Sequence, residues 1–320
     1  MILARHAEAL LWVGRYLERA ETTARCLQVA DSLIIHLQPD VARAEWAQLV
    51  RALGLVDEFA EAGSEPRQRD VLEFLLASPD TAGSVPAAIS AVRENLRVAR
   101  DRVPIELWEE ANRLHLTLRS LSTANVVAEP NDTLVAVRRG CQAMSGVVGE
   151  AMGRDEGHAF IVLGRMIERC LLTVDLLRAE VGADEGSFDA DRLLRSSTSL
   201  QAFRRTHGYT GDWLTVSAFL VGSTDTPRSV LSSLRRAEER LVRIADEGTL
   251  AEPRRLTGLL RSEVEFSDLF NALAADPMSF LGGLHDSIAA VADSVQRHIV
   301  PPIGLPQTHA QFVRPGDRSP

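Results

Sequence analysis

Residues 8–28, EALLWVGRYLERAETTARCLQ, place apolar or small side chains at Leu10, Val13, Leu17, Ala20 and Ala24. Steps of three and four residues bring such positions onto one face of a helix, so the segment predicts an amphipathic helix with a face to bury. Residues 158–178, HAFIVLGRMIERCLLTVDLLR, repeat the pattern at Phe160, Leu163, Met166, Ile167 and Leu177. Read the same way, the chain predicts helices near 3–36, 43–61, 67–77, 85–101 and 104–123. A second set follows near 131–152, 155–181, 189–206, 212–221, 229–246, 254–274 and 278–299.

The two sets share more than period. Gly14, Arg15, Glu18 and Arg19 return as Gly164, Arg165, Glu168 and Arg169, a shift of 150 residues. Further on, FLLASPDTAGSVPAAISAVRENL (Phe74 to Leu96) matches FLVGSTDTPRSVLSSLRRAEERL (Phe219 to Leu241) at a shift of 145. In each copy a serine, Ser84 or Ser229, stands just before new helical periodicity, where its hydroxyl can accept from an otherwise orphan backbone N–H. Two similarities in the same order point to an all-α protein, a duplicated helical bundle with two pseudo-symmetric units packed together. The expected units are residues 1–130 and 131–300, with a turn inside one compact body near 125–130. Ala62 through Pro66 reads as loose, and 301–320 as a flexible tail rich in Pro, Gly and polar residues.

Composition supports helix, because Leu, Ala, Arg and Glu dominate while aromatic residues make up 5% of the chain. With 35 basic and 44 acidic residues the formal charge is −9, a field that favours solubility and opposes nucleic acid and anionic membranes as general partners. No apolar run approaches the roughly 20 residues of a membrane span and the start lacks a leader pattern, so a cytoplasmic location is expected. Cys26, Cys141 and Cys170 have neither disulfide arithmetic nor zinc spacing and read as buried thiols. The histidines show no Glu-x-x-His spacing, and no phosphate-binding glycine loop or serine nucleophile elbow occurs. Neither a metal nor a cofactor is expected.

Candidate chemistry therefore rests on charged columns beside the apolar stripe. Gly14, Glu18, Glu21 and Arg25 share one column of the first helix, and Glu168 repeats Glu18, whereas Asp175 stands where the first copy has Arg25. One reading is structural: Glu18 and Glu168 meet arginines across a helix interface that Gly14 and Gly164 bring close. The other is a cleft in which Arg15, Arg19, Arg165 and Arg169 hold an anion through their planar forks. Arg15 and Arg19 lie about 140° and 180° round from Leu10, which argues against a wholly internal place for them. A secondary surface carries Arg93, Asn95, Arg97 and Arg100 near Trp108, with Arg97 and Asp101 spaced for an ordinary helical ion pair.

The segments EALLWVGRYLERAETTAR, RENLRVARDRVPIELWEEAN, GRMIERCLLTVDLL and RSVLSSLRRAEERL, in this order over roughly residues 1–300, resemble the bacterial alpha-E family of all-helical proteins. The family's Glu-Arg motif falls on Glu18-Arg19 and again on Glu168-Arg169. The second copy departs from the usual pattern by continuing Cys170-Leu171-Leu172-Thr173-Val174-Asp175. Family members are often encoded beside, or fused to, proteins resembling circularly permuted ATP-grasp ligases, and near transglutaminase-like cysteine peptidases. The resemblance implies work in a peptide or amide modification system. Because the repeated charged helix comes without a recognisable catalytic constellation, the chain is expected to be a noncatalytic partner or substrate-positioning protein for an ATP-grasp-type peptide or amide-forming system, with the ligase, a transglutaminase-like protein and a peptide substrate as expected partners. The alternatives are an enzyme whose carboxylate–arginine cleft acts on a peptide or other anionic substrate, and an oligomeric helical scaffold that binds further copies of itself.

Overall fold

The computed structural model describes residues 2–34, 37–181, 188–209, 211–244 and 250–299, and contains no strand among them. The first helices are α1 (Ala4–Ile34), α2 (Pro39–Ala52), α3 (Val56–Glu61), α4 (Gln68–Leu72), α5 (Val85–Val98), α6 (Ile105–Ser120), α7 (Thr123–Ala128) and α8 (Pro130–Glu150). They are followed by α9 (Glu156–Val181), α10 (Ala190–Ser196), α11 (Leu200–His207), α12 (Trp213–Gly222), α13 (Val230–Ile244), α14 (Ala251–Phe266), α15 (Leu269–Ala275) and α16 (Pro277–Ile299). The tail expected at 301–320 lies outside the described residues.

The protein is all-helical and is organised around α1 and α9, which pack along one another. Helices α5 and α8 lie against α1 and are joined by contacts to α6; α13 and α16 lie against α9 and are joined by contacts to α14. In addition α2 crosses to α9 and α10 crosses to α1. Both long helices are thus enclosed well beyond a single apolar face. The predicted stripe of α1, Leu10, Val13, Leu17, Ala20 and Ala24, is completely buried, and Glu18, Glu21 and Arg25 in the next column are buried as well. A helix enclosed on several sides must pair its polar side chains internally, because no water reaches them.

Both serine caps form as the sequence predicts. The Ala87 amide donates to Ser84 Oγ (3.2 Å) and the Ser232 amide to Ser229 Oγ (3.1 Å). Each serine hydroxyl also donates back to a carbonyl six residues earlier, of Ser78 or Ser223, fixing the turn that launches α5 or α13.

Several helices predicted as continuous are broken. The 43–61 segment divides at Gly54, whose φ of +68° suits glycine and ends α2. The 189–206 segment divides at Ser197–Ser199, where Ser197 and Ser199 hydroxyls take main-chain carbonyls and Thr198 adopts φ 56°. In 104–123 the helix stops at Ser120, and Ser122 then caps α7, so the 125–130 region holds a short helix where a turn is predicted. The 254–274 segment is interrupted at Ser267, and Asp268 caps α15 by accepting from the Asn271 amide at 3.1 Å. Helix α5 ends at Val98 and passes into a 3-10 turn at Arg100–Arg102. Arg97 consequently pairs with Glu94 at 2.9 Å instead of with Asp101, which no longer shares its helix.

All three cysteines are buried and unpaired, and burial pushes the Cys170 thiol up to about 12. Among the described residues no helix is long and apolar enough to cross a membrane.

Candidate functional site

The site begins with two glycines. A Cβ on Gly14 would stand 2.0 Å from the Ile161 carbonyl oxygen and 2.9 Å from the Arg165 amide nitrogen. A Cβ on Gly164 would stand 2.0 Å from the Leu11 carbonyl oxygen and 3.2 Å from the Arg15 amide nitrogen. Each glycine thus lies against the other helix's backbone, and α1 and α9 cross with no side chain between them. The residues one turn further along each helix are thereby carried across the seam onto the opposite chain segment.

Glu18 is 0% exposed and receives three arginines. Arg169 binds both of its oxygens (Nε to Oε1 2.9 Å, Nη2 to Oε2 2.8 Å), Arg165 Nη2 reaches Oε2 at 3.1 Å, and Arg228 Nη1 reaches Oε1 at 2.7 Å. Burial pushes the Glu18 carboxyl upward, but Arg169, Arg228 and Arg165 together outweigh it and hold the group well below the usual carboxylate range. Arg228, from the turn before α13, is pushed down to about 10 by its burial, with Glu18 opposing the shift. Glu21, alongside, accepts from Arg25 at 2.5 Å and lies 3.2 Å from Arg228 and 3.4 Å from Arg165. Four guanidinium groups therefore surround two carboxylates, and Nε and Nη1 of Arg25 are buried without hydrogen-bond partners.

Glu168 is 1% exposed and receives two arginines, Arg15 Nε at 2.9 Å and Arg19 Nε at 2.6 Å. In keeping with their angles from Leu10, neither arginine is wholly internal: both reach sideways along the crossing, Arg15 15% exposed and Arg19 34% exposed. Among the described residues no third arginine reaches it. Gly83, 145 residues before Arg228, borders a cavity of about 390 Å³ that Arg19, Glu168, Asp175 and His285 also line. Asp175 sits 3.6 Å from His285 Nε2 and 3.5 Å from Arg178; burial raises its carboxyl, with His285 and Arg178 opposing.

The structure thus gathers Arg15, Glu18, Arg19, Arg165, Glu168 and Arg169 on one seam, while Arg25 serves Glu21. Arg228 escaped the sequence reading, although its replacement by Gly83 in an otherwise matching segment was visible there. The secondary surface lies apart. Arg93 donates to Asn112 (2.8 Å) and Glu94 (2.5 Å), Asn95 donates to the Ala91 carbonyl (2.8 Å), and the guanidiniums of Arg93 and Arg100 lie 5.3 and 4.9 Å from the Trp108 ring centre. These contacts are local to α5, α6 and the turn between them.

The fold and its seam define a helical protein that buries the glutamate of a Glu-Arg motif on each of two crossing helices. The chain belongs to the Alpha-E family, described as a predicted alpha-helical domain with a conserved ER motif, whose model matches residues 2–299. It is 28% identical over 314 residues to uncharacterized proteins of Mycobacterium bovis and of Mycobacterium tuberculosis strain CDC 1551, a match covering 89% of this chain and 35% of each relative. A third uncharacterized protein, from Mycobacterium tuberculosis strain H37Rv, is 27% identical over the same span. The chain spans about a third of the length of these curated relatives. No solved structure matches it.

Proposed function

We propose that this chain is a noncatalytic binding module, a partner or substrate-positioning protein for an ATP-grasp-type peptide or amide-forming system. The observation that carries the noncatalytic half is the enclosure of Glu18, together with the engagement of Glu168 by two arginines at the edge of a cavity. A general acid or base must reach the proton it transfers, whereas Glu18 and Glu168 are buried and spend their oxygens on arginines. The motif acts as a clasp that holds α1 to α9. In support of a module, the curated relatives carry the matched region within chains of which it forms about a third. The link to amide formation rests on the family resemblance.

The module is read as two diverged copies, residues 1–130 and 131–300. Supporting this are the reciprocal glycines, the paired serine caps and the like surroundings of α1 (α5, α6, α8) and α9 (α13, α14, α16). Titration calorimetry of the intact chain against a purified ATP-grasp-type ligase and its acceptor peptide tests the proposal. Binding to at least one, with no turnover by the chain alone, is expected; binding to neither overturns it.

A further inference from the structure

A second charged site lies behind the clasp, and its lining is richer in cations than in carboxylates. Arg236, Arg240 and Arg243 recur at steps of four and three on α13, which puts them on one face. They line a cavity of about 420 Å³ opposite Arg165 and His158 of α9 and Arg154 of the α8–α9 connection. Among the described lining residues Glu150 supplies the one carboxylate. At Arg236 the neighbouring Arg169, Arg165 and Arg240 are opposed by Glu239. Arg240 lies 3.4 Å from Glu239, yet its Nε is buried without a hydrogen-bond partner.

The surroundings reinforce the positive field. Arg154 Nη1 lies 2.5 Å from His158 Nε2, and His158 is pushed down to about 4 by burial and then by Arg154, Arg240 and Arg243. Arg165 connects the cavity to the seam, where guanidiniums already outnumber carboxylates. The cations are not a by-product of a repeated helical pattern. At 145 residues before the three α13 arginines stand Ala91, Asn95 and Val98, and at 150 before His158 and Val162 stand Glu8 and Trp12. In a chain of formal charge −9, guanidiniums crowded round one hollow repel one another unless an anion enters.

We propose that this hollow binds a multivalent oxyanion of the phosphate class, held by Arg236, Arg240 and Arg243 from α13 with Arg154 closing the opposite rim. Cations converging from α13, α9 and the α8–α9 connection suit a tetrahedral group that offers oxygens in several directions. A phosphate-class ion also carries more charge and more acceptor oxygens than one carboxylate, so it can satisfy more guanidinium groups at once. Free phosphate, a nucleotide's polyphosphate and a phosphorylated small molecule share this chemistry.

Titration calorimetry of the full chain at low ionic strength, with inorganic phosphate, pyrophosphate, ATP and a triglutamate peptide as separate probes, tests the proposal and distinguishes the sources. Pyrophosphate is expected to bind at one site per chain. Arg236→Gln combined with Arg243→Gln, two exposed positions whose replacement leaves the core intact, is expected to weaken it about 100-fold, from two charge-assisted bonds lost. Arg154→Gln, on a different segment, is expected to weaken it about tenfold, and circular dichroism of each variant should match the parent. The proposal is overturned if none of the three phosphate probes binds, if both variants bind as the parent does, or if triglutamate binds more tightly than pyrophosphate.

Discussion

Replacing Gly14 by alanine tests the backbone contact that organises the seam. The added methyl would lie 2.0 Å from the Ile161 carbonyl oxygen, whereas a carbon and an oxygen rest at about 3.3 Å, so the helices must part by roughly 1.3 Å there. The obstructing atoms are backbone, and no side-chain rotation relieves them. A gap approaching 1 Å forfeits a quarter to a half of each dispersion contact along the crossing, and overpacking of this kind costs about 1–3 kcal/mol or more. Stretching of the Glu18 and Glu168 ion pairs adds to the cost, while the better helix propensity of alanine returns about 1 kcal/mol. The net expectation is a destabilisation of about 2–4 kcal/mol, read by urea unfolding followed by far-UV circular dichroism. Gly164→Ala should cost a similar amount. Combining both should cost less than the sum, since one separation makes room for both methyls. Stabilisation by about 1 kcal/mol, the result of propensity alone, or strict additivity would refute the close crossing.

Other substitutions probe the network and its neighbours. Arg169→Met leaves Glu18 short of its bidentate partner inside the protein and should cost about 3–5 kcal/mol, whereas Arg19→Met, a third exposed, should cost under about 1 kcal/mol by the same unfolding assay. Ser84→Ala and Ser229→Ala should each cost about 1 kcal/mol and add when combined, since they cap different helices; a thermal melt series checks this. His158 has a folded pKa of about 4 against an ordinary 6.5, so the unfolded chain takes up its proton first as pH falls. Its contribution is whole above pH 6.5 and is lost toward pH 4, amounting to at most roughly 3 kcal/mol. His158→Gln should therefore flatten the stability profile between those values in unfolding measured at stepped pH.

How much of this was legible in the sequence depends on the range of the interaction. Periodicity located the long helices and the stripe from Leu10 to Ala24, because burial of an apolar face imposes its own spacing. Breaks such as Gly54 and Ser197–Ser199 were not located, since competing turn hydrogen bonds interrupt a pattern that reads as continuous. The motif residues were identifiable from their recurrence, and the column containing Glu18, Glu21 and Arg25 from helical geometry. Their partners were harder to read. The place of Arg15 and Arg19 depends on how closely α1 and α9 approach, and that distance is fixed by the opposing backbone rather than by either helix alone. Arg228 joins Glu18 from 210 residues away, and no local spacing announces such a contact.

The clasp itself is tested most directly by Glu18→Gln, melted at neutral pH without any ligand or partner. Loss of the buried negative charge strands Arg165, Arg169 and Arg228, so stability should fall by about 3–5 kcal/mol and the melting temperature by roughly 5–10 °C. A variant that melts within about a degree of the parent, yet loses a measurable turnover, would contradict the account and make Glu18 a working carboxylate.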